Sequence, residues 1–596
     1  MGSGPALDLV LVSRYEMNSD SHSRETTMPQ HARYRVLTAA TAIVVGLGLA
    51  GYAPAGVAAQ AHDGHHHHGH HHHGHHQNRH AEGLPGGYKH LVVIFEENHS
   101  FDNLYGTWGD VRGQHVEGLA DASSAKRTQV GQDGVPFTCL QQVDVNLASP
   151  VPLSNTCQDP GHGIDASHFR NDIFDIDDFI APTDKTCPAP GVSAPNGVLK
   201  DSAGALEGGC TRDLVHRFYQ EQYQLDGGKQ DRYTTGSDAV GLTQGVYETQ
   251  NLPIYRYLHS KGAPKYVIAD KFFQGAFGGS FLNHQWLIAA RAPIDTDPLV
   301  GTPAATSTTA RNTLLDANRM VTNTPDTYPQ YDPVGPFFDG ELTERCSTGD
   351  NDEAAACGNF AVNTVQPGQA PRNETGRRIP LIDDTAFPNI GDRMSQAGIS
   401  WAWYSGGWND AEKGTPGALF QFHHQPFNYF ADYAPGKPGR AHLKDEEEFR
   451  AAARNGTLPK VSFVKPYGAE NEHPGYASEP DGSDHLVDLL RDITEGDSAG
   501  NTLVVVTYDE FGGQWDHVSP PGTGGTVGAH DAWGPGTRIP ALIVSRSLKH
   551  SGVDHTVYDT TSIMATIEHS FGLKPVATRD RVVNDLTPAV AAGGRH

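Results

Sequence analysis

The stretch KHLVVIFEENHSFDNLYGTW, residues 89–108, decides the fold. It begins with an apolar run, and two carboxylates, an amide, an imidazole and a hydroxyl follow directly at residues 96–100. A short and almost wholly apolar run predicts a strand buried on both faces, as in a parallel sheet covered by helices. Such sheets bind their ligands at the carboxyl ends of the strands. The polar residues after this run therefore indicate a functional site.

Similar apolar runs recur along the chain, and helical patterns such as NLPIYRYLHSKG (251–262) separate several of them. Further strands are predicted in KYVIADKFF (265–273), ISWAWYS (399–405), KVSFV (460–464), NTLVVVTYDE (501–510) and IPALIVS (539–545). We predict an α/β domain with a mostly parallel sheet sandwiched by helices. A segment rich in Pro, Gly and Thr at about residues 293–380 is expected to form a loop-rich insertion.

The N-terminal region has the features of an export signal. Arg33 and Arg35 precede an apolar segment, and Ala59-Gln60-Ala61 has the form of a signal-peptidase site. We expect residues 1–61 to be an N-terminal extension with a signal peptide, and the protein to be secreted or held at the cell surface. Glycines interrupt the apolar segment, so a membrane anchor is the weaker alternative and no stable membrane span is expected.

A histidine-rich tract follows, with twelve of the 33 histidines in residues 62–80. Tracts of this composition do not pack a core, so residues 62–88 are predicted to be a disordered linker. The catalytic domain is expected to span residues 89–590. Metal capture by the tract is an alternative function, in which the protein would be a non-catalytic metal-binding protein.

The cysteines and the net charge constrain the class of protein. Six cysteines in an exported chain favour disulfides, and pairing of neighbours would join Cys139–Cys157, Cys187–Cys210 and Cys346–Cys357. Sequence alone allows about fifteen connectivities. The formal net charge of −26, without a compensating basic stripe, argues against nucleic acid as a partner.

Oxygen-bearing side chains end two of the predicted strands. Glu96, Glu97 and Asn98 follow one apolar run, and Asp509 and Glu510 follow another. Either pair alone could be a solvated turn. Because the carboxyl ends of parallel strands meet at one edge, these residues together predict a site for one divalent metal ion of unknown identity.

Ser280 is the candidate nucleophile. It follows Gly278-Gly279, where a helix is predicted to begin, and it is either a simple N-cap or a hydroxyl poised to attack phosphorus beside the metal. A rival motif, Gly496-Asp497-Ser498-Ala499-Gly500, matches the G-x-S-x-G elbow of serine esterases. That elbow needs a strand before the serine, whereas a helical pattern precedes this one, so it is interpreted as a loop.

Histidines supply donors for a phosphate group and a proton for its leaving oxygen. Most single histidines have structural roles, but many fall in polar motifs of this chain. The candidates are His216, His284, His423, His424, His473, His485 and His517.

The ordered set of motifs EENHSFDNLYGTW, LDGGKQDRY, GGSFLNHQW, FHHQPFNYF, LPKVSFVKPYGAENEHPGY, TYDEFGGQWDHVSPP and VDHTVYDTTSIMATIEHSFGL resembles a bacterial phosphoesterase family. That family joins acid phosphatases of the AcpA type with non-specific phospholipases C and belongs to the alkaline phosphatase superfamily. The resemblance implies an alkaline-phosphatase-like fold, metal ligands at Glu97, Asn98, Ser280, Asp509 and Glu510, and Ser280 as nucleophile. It also implies catalytic roles for His216, His424 and His473 around the phosphate.

Two departures from the family pattern affect the expected activity. His99 stands where the family often has arginine, and Glu510 stands where the acid phosphatases carry aspartate. Serine at position 280, followed by Asn283-His284-Gln285, favours the phosphatase branch over the phospholipase branch. We therefore expect hydrolysis of phosphomonoesters through a phosphoserine, with substrate contacts from His284, His423 and His517. A phospholipase C that acts on phospholipids, with an approach lined by Trp401, Trp403, Tyr404 and Trp408, is the alternative.

Overall fold

Within the described residues, eight strands form the central sheet. In chain order they are β1 (His90–Glu96), β2 (Lys265–Ala269), β3 (Trp401–Ser405), β4 (Leu443–Asp445), β5 (Val461–Lys465), β6 (Thr502–Tyr508), β7 (Ala541–Ser545) and β8 (Gly552–Asp554). The spatial order is β4-β3-β5-β1-β6-β7-β2-β8. β7 is antiparallel to both of its neighbours, and the other strand pairs are parallel. The predicted mostly parallel α/β sheet is confirmed.

The structure is a computed structural model that describes residues 83–141, 144, 146, 157–294, 360–376 and 378–595. The predicted signal peptide, the histidine tract at 62–80, the predicted Cys346–Cys357 pair and most of the insertion predicted at 293–380 lie outside the described residues. The other two predicted disulfides, Cys139–Cys157 and Cys187–Cys210, are present. In the described part of the chain, no helix is long and apolar enough to cross a membrane.

The strands form where the apolar runs are, because every side chain from Leu91 to Phe95 is fully buried. β1 pairs in register with β5 on one side and with β6 on the other. The pairing of β1 with β6 extends to Glu96 opposite Tyr508. The residues that follow these two strands therefore leave the sheet side by side.

The α-helices of the described residues pack on the sheet and on one another. They are α1 (Phe101–Tyr105), α2 (Ser124–Arg127), α3 (Phe218–Leu225), α4 (Pro253–Leu258), α5 (Ser280–Ala289), α6 (Ile390–Gln396), α7 (Trp408–Glu412), α8 (Glu446–Arg454), α9 (Glu479–Thr494), α10 (Thr561–Phe571) and α11 (Thr587–Gly593). α9 packs on α4 and α8, and α5 packs on α6 and α10. Ser478 and Asp445 cap the N-termini of α9 and α8, as their sequences favour.

Smaller elements complete the fold. Two-stranded sheets join Phe272–Phe273 with Tyr558–Asp559, Cys139–Leu140 with Phe169–Arg170, Cys157–Asp159 with Ile164–Ser167, Phe174–Asp175 with Gly245–Val246, and Lys185–Cys187 with Leu206–Glu207. Short 3-10 helices include Pro85–Gly87, Leu119–Asp121, Pro160–His162, Ile176–Asp178, Asp226–Gly228, Val240–Gln244, Thr249–Asn251, Phe422–His424, Pro426–Tyr429, Ala431–Tyr433, Pro438–His442 and Ala499–Asn501. The last of these lies between α9 and β6, so the G-x-S-x-G match is a helix-to-strand loop, as predicted.

Candidate active site

The two polar clusters meet at the carboxyl ends of β1 and β6. The backbone N–H of Asp509 donates to the carbonyl of Glu96 at 3.0 Å, and that of Asn98 donates to the Asp509 carboxylate at 3.4 Å. Asn98 has a φ of +67°, a left-handed conformation that asparagine tolerates better than most residues. The turn brings Glu97 and Asn98 to the same site, whereas Glu96 points to the opposite face of the sheet.

Ser280 joins this cluster from the start of α5. Its Oγ lies 3.4 Å from Glu510 Oε1 and 3.5 Å from Asn98 Oδ1. The preceding turn requires glycine, since Gly278 has a φ of +92° and a Cβ there would lie 2.7 Å from the Phe218 nitrogen. No side chain caps the N-terminus of α5, so its free N–H groups are available to an anion.

A buried carboxylate that sequence reasoning missed fixes the turn before Ser280. Glu221 accepts hydrogen bonds from the backbone of Gly278 and Thr537, both at 2.6 Å. Burial raises its pKa to about 8, although these hydrogen bonds oppose the shift. Because Glu221 lies within an ordinary amphipathic helix, no sequence signal marks this role.

The donor set fits a divalent cation. Glu97, Asp509 and Glu510 are fully buried, and Glu97 Oε2 and Asp509 Oδ2 have no hydrogen-bonding partner among the described residues. Burial raises the pKa of Asp509 to about 7, and burial and the neighbouring Asp509 carboxylate raise that of Glu510 well above its usual range. A cation between them would offset this mutual repulsion.

Lys465, at the end of β5, is a site residue that the sequence did not reveal. It is fully buried, and its Nζ lies 2.9 Å from Glu97 Oε1. His424 contacts the same carboxylate oxygen. Burial opposes ionisation of Glu97, but the charges of His424 and Lys465 outweigh it and hold the pKa of Glu97 well below its usual range. In the sequence, the role of Lys465 is marked only by its position as a single lysine at the end of an apolar strand.

Ser280 faces a cavity of about 350 Å³ with a mixed polar and apolar wall. The residues that line it and carry the chemistry are Glu97, Asp213, His216, Arg217, Ser280, His423, His424, His473 and Tyr476. The cavity therefore gathers four of the predicted histidines around the predicted nucleophile. Asp213 was not predicted, and burial raises its pKa to about 7.

Backbone contacts orient two of these rings. His473 Nδ1 donates to the Pro474 carbonyl at 2.7 Å, so Nε2 accepts from the Asn98 side-chain amide at 2.8 Å. His216 Nδ1 donates to the Leu214 carbonyl at 2.5 Å, and its Nε2 lies 3.4 Å from Glu510 Oε1. In the neutral ring this nitrogen and the carboxylate oxygen are both acceptors, so a proton or a cation must lie between them.

Two predicted substrate-binding histidines lie outside this cavity. His284 is fully buried behind it, where Nδ1 donates to the Ser280 carbonyl at 2.7 Å and lies 3.7 Å from Asp509 Oδ2. One nitrogen or oxygen atom from each of Glu97, His284 and His424 lies within 4.8 Å of the other two, which is an alternative grouping for a metal.

His517 lies apart from the nucleophile. Its Nδ1 donates to Asp102 at 2.6 Å, and the ring borders a separate cavity of about 600 Å³ together with Lys126 and Lys271. This placement does not fit the predicted contact of His517 with the substrate, because Asp102 and the neighbouring Arg538 hold the ring away from Ser280.

His99, which replaces the family's arginine, also lies outside the cavity. Its Nδ1 lies 2.6 Å from Asn103 Oδ1 and its Nε2 lies 2.9 Å from the Glu472 carbonyl. Burial lowers its pKa to about 4, so the ring is neutral at physiological pH. His99 therefore supports the loop after β1 instead of supplying a charge to the substrate.

A sequence profile identifies the family of the chain. A sequence profile described as the phosphoesterase family matches residues 88–574. Phospholipase C B of Mycobacterium tuberculosis is 24% identical over 536 residues, which cover 84% of this chain and 77% of that protein. A non-hemolytic phospholipase C of Burkholderia pseudomallei is 28% identical over 33% of this chain and 35% of its own length. A solved protein in the alkaline phosphatase superfamily from Vibrio parahaemolyticus matches 32% of this chain and 50% of its own at 15% identity, with a TM-score of 0.19.

Proposed function

The chain belongs to the phosphoesterase family and is a phosphoric ester hydrolase, and from this premise we propose that it cleaves phosphomonoesters through a phosphoserine at Ser280. One observation carries the proposal. The Ser280 hydroxyl lies at an uncapped helix N-terminus, within 3.5 Å of Asn98 and Glu510, and opens into a histidine-lined cavity. This combination offers a nucleophile, a cradle for phosphate oxygens and charged groups to balance the reaction.

Glu97, Asn98, Asp509, Glu510 and Ser280 would hold one divalent ion. When bound, such an ion acts as a Lewis acid that favours ionisation of the serine hydroxyl and offsets charge on the phosphoryl oxygens. Its identity is left open, because carboxylate and amide oxygens suit several hard cations.

The reaction then follows from the chain's own residues. Ser280 Oγ attacks phosphorus while its proton passes to the ionised Glu510 carboxylate, whose Oε1 lies 3.4 Å away. A cation held by these residues would keep Glu510 ionised despite its raised pKa. The new Oγ–P bond forms as the bond from phosphorus to the ester oxygen breaks. That oxygen takes a proton from an imidazolium at the cavity wall, and water later cleaves the phosphoserine to release phosphate.

His473 remains the candidate proton donor, with His216 and His424 facing the phosphate. His473 Nε2 accepts from Asn98 as placed, so the ring must take up a second proton and release that contact before it can donate. A histidine can give this proton only in its protonated form, which supports activity on the acidic side.

Phospholipase C activity is the second candidate, and the names of the relatives favour it. The aromatic residues proposed for a lipid approach do not support it. Trp401, Trp403, Tyr404 and Trp408 are at most 3% exposed and do not line the cavity. All four pack in the hydrophobic core.

Export of the protein is part of the proposal. The bonds Cys139–Cys157 and Cys187–Cys210 support an oxidising compartment, since disulfides are rare in the cytosol. The signal-like sequence at residues 33–61 points the same way.

A substrate panel tests the activity. The purified protein is assayed from pH 4 to pH 9 on a small phosphomonoester, a phosphodiester and phosphatidylcholine vesicles, with Ser280→Ala as the blank for each. We expect the largest kcat/KM on the monoester, on the acidic side. A larger value on phosphatidylcholine would replace the first candidate with the second, and turnover that survives in the blank would exclude Ser280.

A further inference from the structure

Three ionisable side chains converge outside the active site. They are Glu446, the first residue of α8, Glu470 in the loop after β5, and His485 in α9. One ligand atom from each lies within 4.8 Å of the other two. His485 Nε2 is 2.9 Å from Glu446 Oε1 and 3.9 Å from Glu470 Oε2. Three separate elements thus bring one imidazole nitrogen and two carboxylate oxygens close together.

The contact between His485 and Glu446 does not satisfy every polar atom of the cluster. The second oxygen of Glu446, Oε2, has no hydrogen-bonding partner among the described residues. The Glu446 side chain is only 7% exposed and that of His485 only 11%. Buried polar atoms without partners are costly, and such atoms are often ligands of an ion.

The distances suit a tetrahedral ion. With metal–ligand bonds of about 2.1 Å, the edges of a tetrahedron are about 3.4 Å long. The two measured distances from His485 Nε2, 2.9 and 3.9 Å, lie on either side of that value. Two carboxylates and one imidazole, with a fourth position open to water, form a donor set typical of zinc.

The surroundings are electrostatically favourable for a cation. Glu446 and Glu470 bring two carboxylates to the cluster, and His485 brings one imidazole. Arg450 also faces the cluster, and Asp492 pairs with it at 2.7 Å. Negative charge therefore dominates the region.

We propose that Glu446, Glu470 and His485 bind a divalent cation, best matched by zinc, at a structural site separate from the active site. The site would tie the loop after β5 to α8 and α9. That loop also carries Asn471, whose carbonyl accepts from the Glu97 backbone at 3.0 Å, and His473 in the active-site wall. The ion thus fixes the backbone that positions a catalytic group.

Amide hydrogen exchange with zinc as the only added ligand tests this site locally. The readout is exchange in peptides that cover residues 443–450 and 482–488. These peptides contain neither the histidine tract nor the active-site ligands, so zinc bound at those places should not change the readout. At free zinc about a hundred times Kd, we expect exchange through local opening to slow by about a hundredfold. Unchanged exchange in the wild-type protein would overturn the proposal.

Variants assign the effect to the three ligands. Glu470→Gln leaves the His485–Glu446 contact in place and changes a side chain that is 46% exposed, so the fold should persist. We expect it to lose the protection, as should His485→Gln. Glu447→Gln, at an exposed position next to Glu446, and Asp509→Asn in the active site should retain it. Protection that survives in both ligand variants would refute the site.

Discussion

At the scale of single residues, Lys465 explains how a buried carboxylate stays ready to bind a cation. Its Nζ lies 2.9 Å from Glu97 Oε1 and donates to the Glu96 carbonyl at 3.2 Å, above the ring of Phe95. An unpaired charge at this depth would be unstable. The lysine and the carboxylate therefore stabilise each other as ions, and Glu97 is ionised before any metal arrives.

The first prediction concerns the nucleophile. Ser280→Ala should lower kcat on a phosphomonoester by about a thousandfold or more, because the attacking oxygen is removed. Far-UV circular dichroism should be unchanged. Ser124→Ala is the matched control, since Ser124 is also the first residue of a helix but is exposed and outside the cavity. Activity near that of the control would exclude Ser280.

The second prediction concerns the metal. Asp509→Asn removes one buried anionic oxygen. The variant should therefore bind about one equivalent of divalent ion per chain less than the wild-type protein. Elemental analysis of both proteins, purified side by side, measures the difference. Asp497→Asn changes an exposed aspartate in the loop before β6 and should bind as much metal as wild type. Equal metal content in the Asp509 variant would remove this residue from the ligand set.

At the scale of elements, a carboxyl pair joins α10 to the loop that follows it. Glu568 and Asp580 both accept from the backbone N–H of Val576, at 3.0 and 2.6 Å. Burial, together with the charge and hydrogen bond of Asp580, raises the pKa of Glu568 to about 9. The folded protein thus keeps a proton that the unfolded chain releases near pH 4.5.

The third prediction follows from that proton. The raised pKa contributes stability that is fully present below about pH 4.5 and is lost as pH rises through about 9, with a slope of up to about 1.4 kcal/mol per pH unit. Glu568→Gln keeps the hydrogen-bonding shape without the titration and should flatten the fall in unfolding free energy, measured by urea denaturation from pH 5 to 9. Glu495→Gln, at an exposed position, is the control. Parallel curves for the two variants would contradict the assignment.

The sequence predicted the elements whose apolar runs are long. β1, β5 and β6 were found because their side chains are buried on both faces. β4 and β8 were missed, since three residues such as Leu443–Asp445 carry no periodic signal. The antiparallel direction of β7 depends on where its connection runs, which composition does not record.

The same reasoning explains which site residues were found. Strand ends placed Glu97, Asn98 and Asp509 together, because in-register parallel strands end together. Glu96 was wrongly grouped with them, since strand alternation turns it to the other face. The lone Lys465 and the helical Glu221 required tertiary contacts to be recognised. Residue type alone gave no means of separating His517 from the histidines that line the cavity.

At the scale of the whole molecule, the histidine tract and the catalytic domain are expected to work independently. The fourth prediction is that a chain without residues 62–80 keeps its kcat/KM on a phosphomonoester within about twofold, because described residues outside the tract supply the nucleophile and line its cavity. Its capacity for added Ni²⁺ or Zn²⁺, measured by equilibrium dialysis, should fall by several equivalents. Loss of phosphoesterase activity on deletion would show that the tract supplies metal to the site.

The reversed direction of β7 has a consequence for how such enzymes diversify. β6 ends at the catalytic rim and β7 begins there, so residues 511–540, which follow Asp509 and Glu510, both leave and rejoin the sheet at that rim. A segment with both ends at one edge of the sheet can be replaced by a longer or shorter one without a change in the order or direction of any strand. Replacement of the segment between β6 and β7 can therefore change the substrate preference while the strand pairing of the sheet stays the same.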